Sequence, residues 1–379
     1  MNNSQLPQKF LLKDHLFNHQ KVAQIAGEIQ REYPLFAKDE FIGDVVSRFP
    51  ELELKARISW IAECLKKHLP ESYQDAVSIL INALPVPNNP NLSDDDFGDF
   101  IYAPYMEYVA KNGCTKEYLP LSLGALREMT MRFSAEDAIR CFINAFPQET
   151  LKELLLWSTD SHYHVRRLCS EGTRPKLPWS QKINLPITAP LPILDNLFLD
   201  KTRFVTRSVA NHLNDISKVD PDLTIDILTK WRKSGQQKSE EMDYIIRHAL
   251  RTLVKQGNPK AMSMLGFSLP ERVSISNFIV PRQVKMNTEL EFSFTIQAKE
   301  DIDVIIDYIL YFQNKLGKLK SKKVFKLSKL ALAKNKPVVT SKRHMLRALM
   351  TTRTLYPGNH EIEIQVNGKV CAKASFLLE

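Results

Sequence analysis

His164-Val-Arg-Arg-Leu-Cys-Ser-Glu-Gly-Thr-Arg-Pro-Lys-Leu-Pro-Trp179 gathers four cations, one carboxylate and one indole around a helix end. The residues up to Glu171 suit a helix. Gly172 suits the left-handed position that follows a helix C-terminus, and Pro175 blocks resumption. Glu171 therefore falls in the last turn, where the macrodipole is negative and a carboxylate is disfavoured unless a cation approaches. The stretch reads as a site that awaits a positively charged visitor.

Outward from it, Arg167 is one of four arginines spaced 40 apart: Arg127, Arg167, Arg207 and Arg247. Their surroundings agree in type: Ala125-Leu126-Arg127, Val165-Arg166-Arg167, Val205-Thr206-Arg207 and Ile245-Ile246-Arg247. A period near 40 with paired helices is the pattern of HEAT-type repeats, which stack into a solenoid with a concave binding face. Residues 1–267 read as helical throughout. Phe49–Leu69 carries Leu52, Leu54, Ile58, Ile61, Ala62 and Leu65 at helical spacing. Prolines 85, 87 and 90, then 186, 190 and 192, punctuate the pattern.

After Ser268 the period changes to two. Glu289-Leu-Glu-Phe-Ser-Phe-Thr-Ile-Gln297 and His360-Glu-Ile-Glu-Ile-Gln-Val366 alternate apolar and polar residues, Asn367-Gly368 marks a hairpin, and Pro357-Gly358 marks another turn. Short strands in such a segment predict a β-sandwich of immunoglobulin-like size. The expected fold is mainly α: a HEAT-like α-α repeat solenoid over residues 1–267, a linker near Gly266–Pro270, and a C-terminal immunoglobulin-like β-sandwich over 268–379.

Charge separates the two parts. Residues 1–267 hold 33 Lys+Arg and 33 Asp+Glu, whereas 268–379 hold 19 and 10. Tyr308–His360 contains 13 cations and no acid. A polyanion is the natural partner of such a surface, although a solvated charged face is the plainer reading. The five cysteines are scattered, with no Cys-x-x-Cys pair, which argues against a zinc ribbon or disulfide framework and for a reducing compartment. No apolar run is long enough for a membrane span, and Met1–Leu12 lacks the features of a secretory leader. A cytoplasmic, nucleoid-associated monomer is expected.

Several residues admit two readings. A ladder arginine (Arg167, Arg207, Arg247) either ties neighbouring helices together or faces the ligand. Arg166 and Arg174 lie outside the ladder and suit phosphate contacts. Glu171 either pairs with Arg167 one turn earlier or serves the site. Trp179 is either core or exposed. His162 and His164 lack a third ligand at a suitable spacing, so no metal is expected. Asp94-Asp95-Asp96 reads as a helix N-cap rather than a cation site. No Gly-rich phosphate loop, His-Glu-x-x-His or Gly-x-Ser-x-Gly is present.

Longer segments carry a family resemblance. They include Lys13-Asp-His-Leu-Phe17, Leu52-Glu-Leu-Lys-Ala-Arg57, Phe97-Gly98 with Pro104, and Tyr108-Val-Ala110. The most specific are Arg132-Phe-Ser-Ala-Glu136, Val165-Arg-Arg167 with Ser170-Glu-Gly-Thr-Arg-Pro-Lys-Leu-Pro-Trp179, and Ser208-Val-Ala-Asn-His-Leu-Asn-Asp215. In these the chain resembles the AlkC branch of the AlkC/AlkD DNA alkylation repair glycosylases, including members with a C-terminal immunoglobulin-like domain. The resemblance implies excision of cationic lesions, 3-methyladenine and 3-methylcytosine, from duplex DNA by cleavage of the N-glycosidic bond, without metal or organic cofactor. Carried over by motif, Glu136, Glu171, Trp179 and Asp215 form the active site. DNA contact falls to Arg166, Arg167, Arg174, Lys176 and Arg207 in the solenoid, and to Lys320, Lys322, Lys323 and Arg343 in the sandwich. The alternatives are a non-catalytic DNA-binding HEAT-repeat scaffold and a protein-binding solenoid.

Overall fold

The computed structural model describes residues 11–91, 97–350 and 353–379, and leaves out the side chains of Lys320 and Arg353. Asp94–Asp96 therefore lie outside the described residues, as does the Lys320 side chain. The chain divides into two compact units. One comprises residues 1–216 with 230–245, the other 217–229 with 246–379.

The first unit is helical, and the expected repeat is visible along the chain. Helix Pro147–Trp157 is followed by Tyr163–Gly172, and Leu191–Leu197 by Arg203–Ile216; further on, Pro221–Ser234 is followed by Ser239–Ala249. The leading helix of each pair carries a proline in its first turn, Pro147, Pro192 or Pro221, where the missing N–H costs no intrahelical bond. Polar side chains tie one repeat to the next at a nearly constant sequence offset. Asn196 donates to Ser158, Gln181 to the Cys141 sulfur, and Gln237 to the Phe198 carbonyl, 38, 40 and 39 residues away. Buried apolar residues such as Leu168, Val205, Val209 and Leu213 fill the space between helices.

The second unit holds two sheets. Strands β1 (Val273–Ile279), β3 (Glu289–Ala298) and β6 (Val338–Met345) form one, in the order β1-β3-β6. Strands β2 (Gln283–Val284), β4 (Ile302–Gln313), β5 (Leu319–Leu332), β9 (Gly358–Val366) and β10 (Lys369–Leu378) form the other, in the order β2-β10-β9-β4-β5. A short ribbon pairs β7 (Leu349–Met350) with β8 (Arg353–Thr354). Alternate residues of both sheets, among them Phe292, Phe294, Tyr308, Leu310, Ile362 and Phe376, build one core. Asn367 and Gly368, at φ 42° and 82°, make the turn between β9 and β10 with both central residues left-handed. The alternation fails in β4, where Val304 to Leu310 are all buried. Its outer residue Ile305 packs against Met262 and Phe267, so the strand is covered on both faces.

The basic tract lies largely on β5, an edge strand that pairs only with β4. Lys322, Lys323, Lys326 and Lys329 are exposed along it. Charged edge strands also resist pairing with other chains, so the row has a structural use of its own. No described helix is long and apolar enough to cross a membrane.

Candidate active site

The Tyr163–Gly172 helix ends where the sequence predicts, by a different device. Gly172 is the last helical residue and is not left-handed. A Cβ there would lie 2.6 Å from the Ile139 side chain, so glycine serves close packing. The exposed carbonyls of the helix end are met by buried Arg140. Its Nη1 donates to the carbonyls of Gly172 and Arg174, both at 3.0 Å, and its Nε to that of Gln181 at 2.6 Å. A cation thus caps the negative helix end without touching Glu171. Burial pulls the Arg140 pKa below its ordinary value.

Around that end three carboxylates and two guanidinia alternate. Glu136 lies 3.2 Å from Arg167, which lies 3.5 Å from Glu171. Glu171 lies 2.9 Å from Arg174, and Arg174 lies 2.9 Å from Asp215. Ser134 accepts from Arg167 at 3.1 Å and donates to Glu136 at 2.9 Å. Glu171 and Asp215 are buried, whereas the Glu136 side chain keeps 30% of its exposure. Burial pushes the Glu171 carboxyl up, but Arg167 and Arg174 outweigh it and hold it below the usual carboxylate range. Arg174 is raised in turn, its burial offset by Glu171 and Asp215. The sequence reading of Glu171 as a partner of Arg167, one turn earlier, is therefore realised.

The helix bearing Asp215 is joined to the helix bearing Glu171 by His212. Its Nδ1 faces the Ser170 carbonyl at 3.1 Å, and since a carbonyl only accepts, Nδ1 carries the proton. Nε2 is buried without a hydrogen-bond partner. Burial, with Arg174 nearby, pulls this histidine down to about 4.

Trp179 is exposed, at 90%, which decides between its two readings. Its φ of 67° is left-handed, at a cost of about 1 kcal/mol for a residue with a Cβ. The loop is held on both sides of the indole. Lys55 donates to the Trp179 carbonyl and lies 2.7 Å from Asp137, the neighbour of Glu136, while Arg140 grips Gln181.

The arginines divide differently from the sequence expectation. Arg127 pairs with Asp160, and Arg166 pairs with Asp200 at 2.5 Å, 33 and 34 residues away. Asp160 and Asp200 are themselves 40 apart. Arg166 thus does the tying between repeats, and its guanidinium is committed to Asp200 and to the carbonyls of Asp160 and Ser161. Arg167 stands instead among the carboxylates. Arg174, read as a phosphate contact, is largely buried between two acids. Lys176 is exposed and Arg207 half-buried, the latter 5.7 Å over the Phe204 ring. In the sandwich, exposed Arg343 lies 3.4 Å from Glu291. Among the described residues no group of three or more His, Cys, Asp or Glu is placed to hold a metal.

Sequence reasoning missed Arg140, Lys55, Ser134 and His212. Lys55, Ser134 and His212 lie inside quoted motifs. Arg140 has only a weak signal, a charge among the apolar residues Ile139, Phe142 and Ile143.

Residues 274–379 match the family described as "Uncharacterised protein YhaZ, C-terminal Ig-like domain". The uncharacterized protein YhaZ of Bacillus subtilis (strain 168) is 32% identical over 360 residues, which is 94% of this chain and 96% of the relative. Among solved structures, the Pseudomonas fluorescens alkylpurine DNA glycosylase AlkC, bound to DNA containing an abasic site analog, superposes with a TM-score of 0.87. It is 31% identical, over 98% of this chain and 100% of that one. With identity above 30% along nearly the whole length of both, the chain belongs to the AlkC branch of the AlkC/AlkD DNA alkylation repair glycosylase family, in the form that carries a C-terminal immunoglobulin-like domain.

Proposed function

We propose that the chain is a monofunctional DNA glycosylase that hydrolyses the N-glycosidic bond of cationic alkylated bases, 3-methyladenine and 3-methylcytosine, in duplex DNA. The observation that carries this reading is the row Glu136–Arg167–Glu171–Arg174–Asp215, three carboxylates against two guanidinia, in the same unit as an exposed indole. A 3-alkylated base is already positively charged and leaves without a general acid. What remains is to stabilise the deoxyribose oxocarbenium ion and to orient a water. Carboxylates fixed before the substrate arrives do the first by electrostatics, without reorganisation. Glu171, held ionised by its two arginines, is a weak base and acts through its charge. Glu136, the most exposed of the three, is the one that water reaches. The Trp179 indole faces the cationic base or sugar, an interaction worth about 1–2 kcal/mol when desolvated.

Duplex DNA is held through its phosphates by Lys176 and Arg207 in the helical part and by Lys320, Lys322, Lys323 and Arg343 in the sandwich. On this reading residues 1–267 carry the chemistry and 268–379 add grip. Arg166 and Arg174 hold the protein together rather than the DNA. Mass spectrometry of the bases released from methylated duplex by the purified chain tests the proposal. Release of 3-methyladenine is expected, and absence of any released base overturns it.

A further inference from the structure

Phe97 and Trp179 are the two aromatic rings among the exposed large hydrophobic side chains of the described residues. Trp179 belongs to the proposed site, but Phe97, 56% exposed, has no part in the mechanism above. It sits on a built support. Gly98 has φ 75°, and a Cβ there would lie 1.7 Å from the Arg132 carbonyl oxygen. Only glycine lets this backbone lie flush against Arg132–Phe133, which it joins through the Gly98–Phe133 bridge and the Asp99 N–H to Arg132 carbonyl bond of 3.0 Å. The Phe97 ring meets buried Phe204 edge-on, with centroids 5.2 Å apart and planes at 85°. The Arg167 guanidinium lies 4.4 Å from the centre of that same Phe204 ring. One ring therefore separates the exposed phenyl from the guanidinium that holds Glu136 and Glu171.

We infer that Phe97 is a nucleobase platform, which stacks on a base displaced from the duplex beside the lesion. The inference rests on the glycosylase reading above and adds an interaction to it. A phenyl has no hydrogen-bond donor or charge for a phosphate. It offers an apolar face matched by the face of an unstacked base, and such stacking tolerates any base. DNA deformed at a damaged nucleotide exposes such a face, and apolar side chains are the usual occupants of the opened step. The support explains why the ring stays outside: its backbone is pinned at Gly98, and its inner edge is already used by Phe204.

The test measures affinity for two duplexes, one with an abasic-site analogue and one undamaged, for the wild type, Phe97→Ala, Phe97→Leu and Phe97→Trp. Base release from methylated duplex is measured alongside. The expected result is that Phe97→Ala and Phe97→Leu weaken binding to the abasic duplex about tenfold, the scale of removing one base stack. Binding to undamaged duplex stays unchanged, and Phe97→Trp retains the wild-type preference. Should Phe97→Ala melt early, Phe97→Leu, which keeps an apolar side chain against Phe204, decides the matter. Equal losses on both duplexes, no loss on either, or failure of Trp to rescue overturns the inference. Base release that is normal in a wild type whose Phe97→Ala variant binds normally overturns this inference and keeps the glycosylase reading. Phe97-dependent binding by a wild type that releases no base overturns that reading and keeps this one.

Discussion

Glu171 and Asp215, carried on different helices, share a single guanidinium: Arg174 lies 2.9 Å from each. All three side chains are largely withdrawn from water. Two buried carboxylates so close together require that cation, and the cation requires them. The pair is thus fixed in position before any ligand arrives.

Removing the shared cation exposes this dependence. Arg174→Met is expected to lower stability by about 3–5 kcal/mol, the usual effect of orphaning buried charges. Glu171→Gln placed in the same chain recovers part of the loss, because one of the two stranded charges is gone. A urea-unfolding cycle over the four proteins checks this; additive losses would contradict the shared-cation account.

Trp179 gives the opposite separation of stability from activity. Its left-handed backbone disfavours any side chain, so Trp179→Gly should leave stability unchanged or raise it by up to about 1 kcal/mol. Base release should fall about tenfold or more, in line with removal of a cation–indole interaction. A thermal melt and a single-turnover assay on the same variant test both halves. A destabilised but active variant would contradict the assignment.

Two buried groups titrate in opposite senses. His212 sits at about 4 when folded, against 6.5 when exposed. Between those values the unfolded chain binds a proton that the folded one refuses, so stability falls as pH drops from 6.5 to 4, by on the order of 3 kcal/mol. Burial raises Asp307 from 3.8 to about 6, despite Lys326 and Lys255. There the folded state binds the extra proton, and stability falls as pH rises from 4 to 6. All four tryptophans lie in the helical unit, so urea unfolding followed by their fluorescence reports His212, while hydrogen exchange in β4 reports Asp307. His212→Asn should flatten the first slope and Asp307→Asn the second.

The edge lysines are tested by salt. Taking one lysine off a phosphate should reduce the slope of log K against log salt by about 0.9. Replacing Lys322, Lys323 and Lys326 together by serine should therefore flatten the salt dependence of binding to undamaged duplex. An unchanged slope would return β5 to a merely protective role.

The fold was legible because both of its periods are long-range facts of the sequence: arginines 40 apart, then alternation from Glu289 onward. Three members of the carboxylate row, Glu136, Glu171 and Asp215, were legible in the sequence, but not how the arginines divide among them. The repeat located the right helices, yet a shift of one residue separates Arg166, which ties repeats through Asp200, from Arg167, which enters the carboxylate row. The repeat fixes the helix that carries them, but not which of two directions about 100° apart faces the neighbouring repeat. Gly172 was read from backbone preference, whereas packing against Ile139 decided it. The roles of Arg140 and Lys55 depend on carbonyls brought near by the loop around Trp179, which no local pattern encodes.

The central claim is that ionised Glu171 stabilises the transition state for loss of a cationic base. Single-turnover release of 3-methyladenine from methylated duplex by Glu171→Gln, with affinity for abasic-site duplex measured on the same protein, tests it most directly. The account predicts release slowed by at least about a hundredfold, the scale of one preorganised electrostatic interaction, with affinity retained within a few-fold. Release at the wild-type rate by the Gln variant would contradict it.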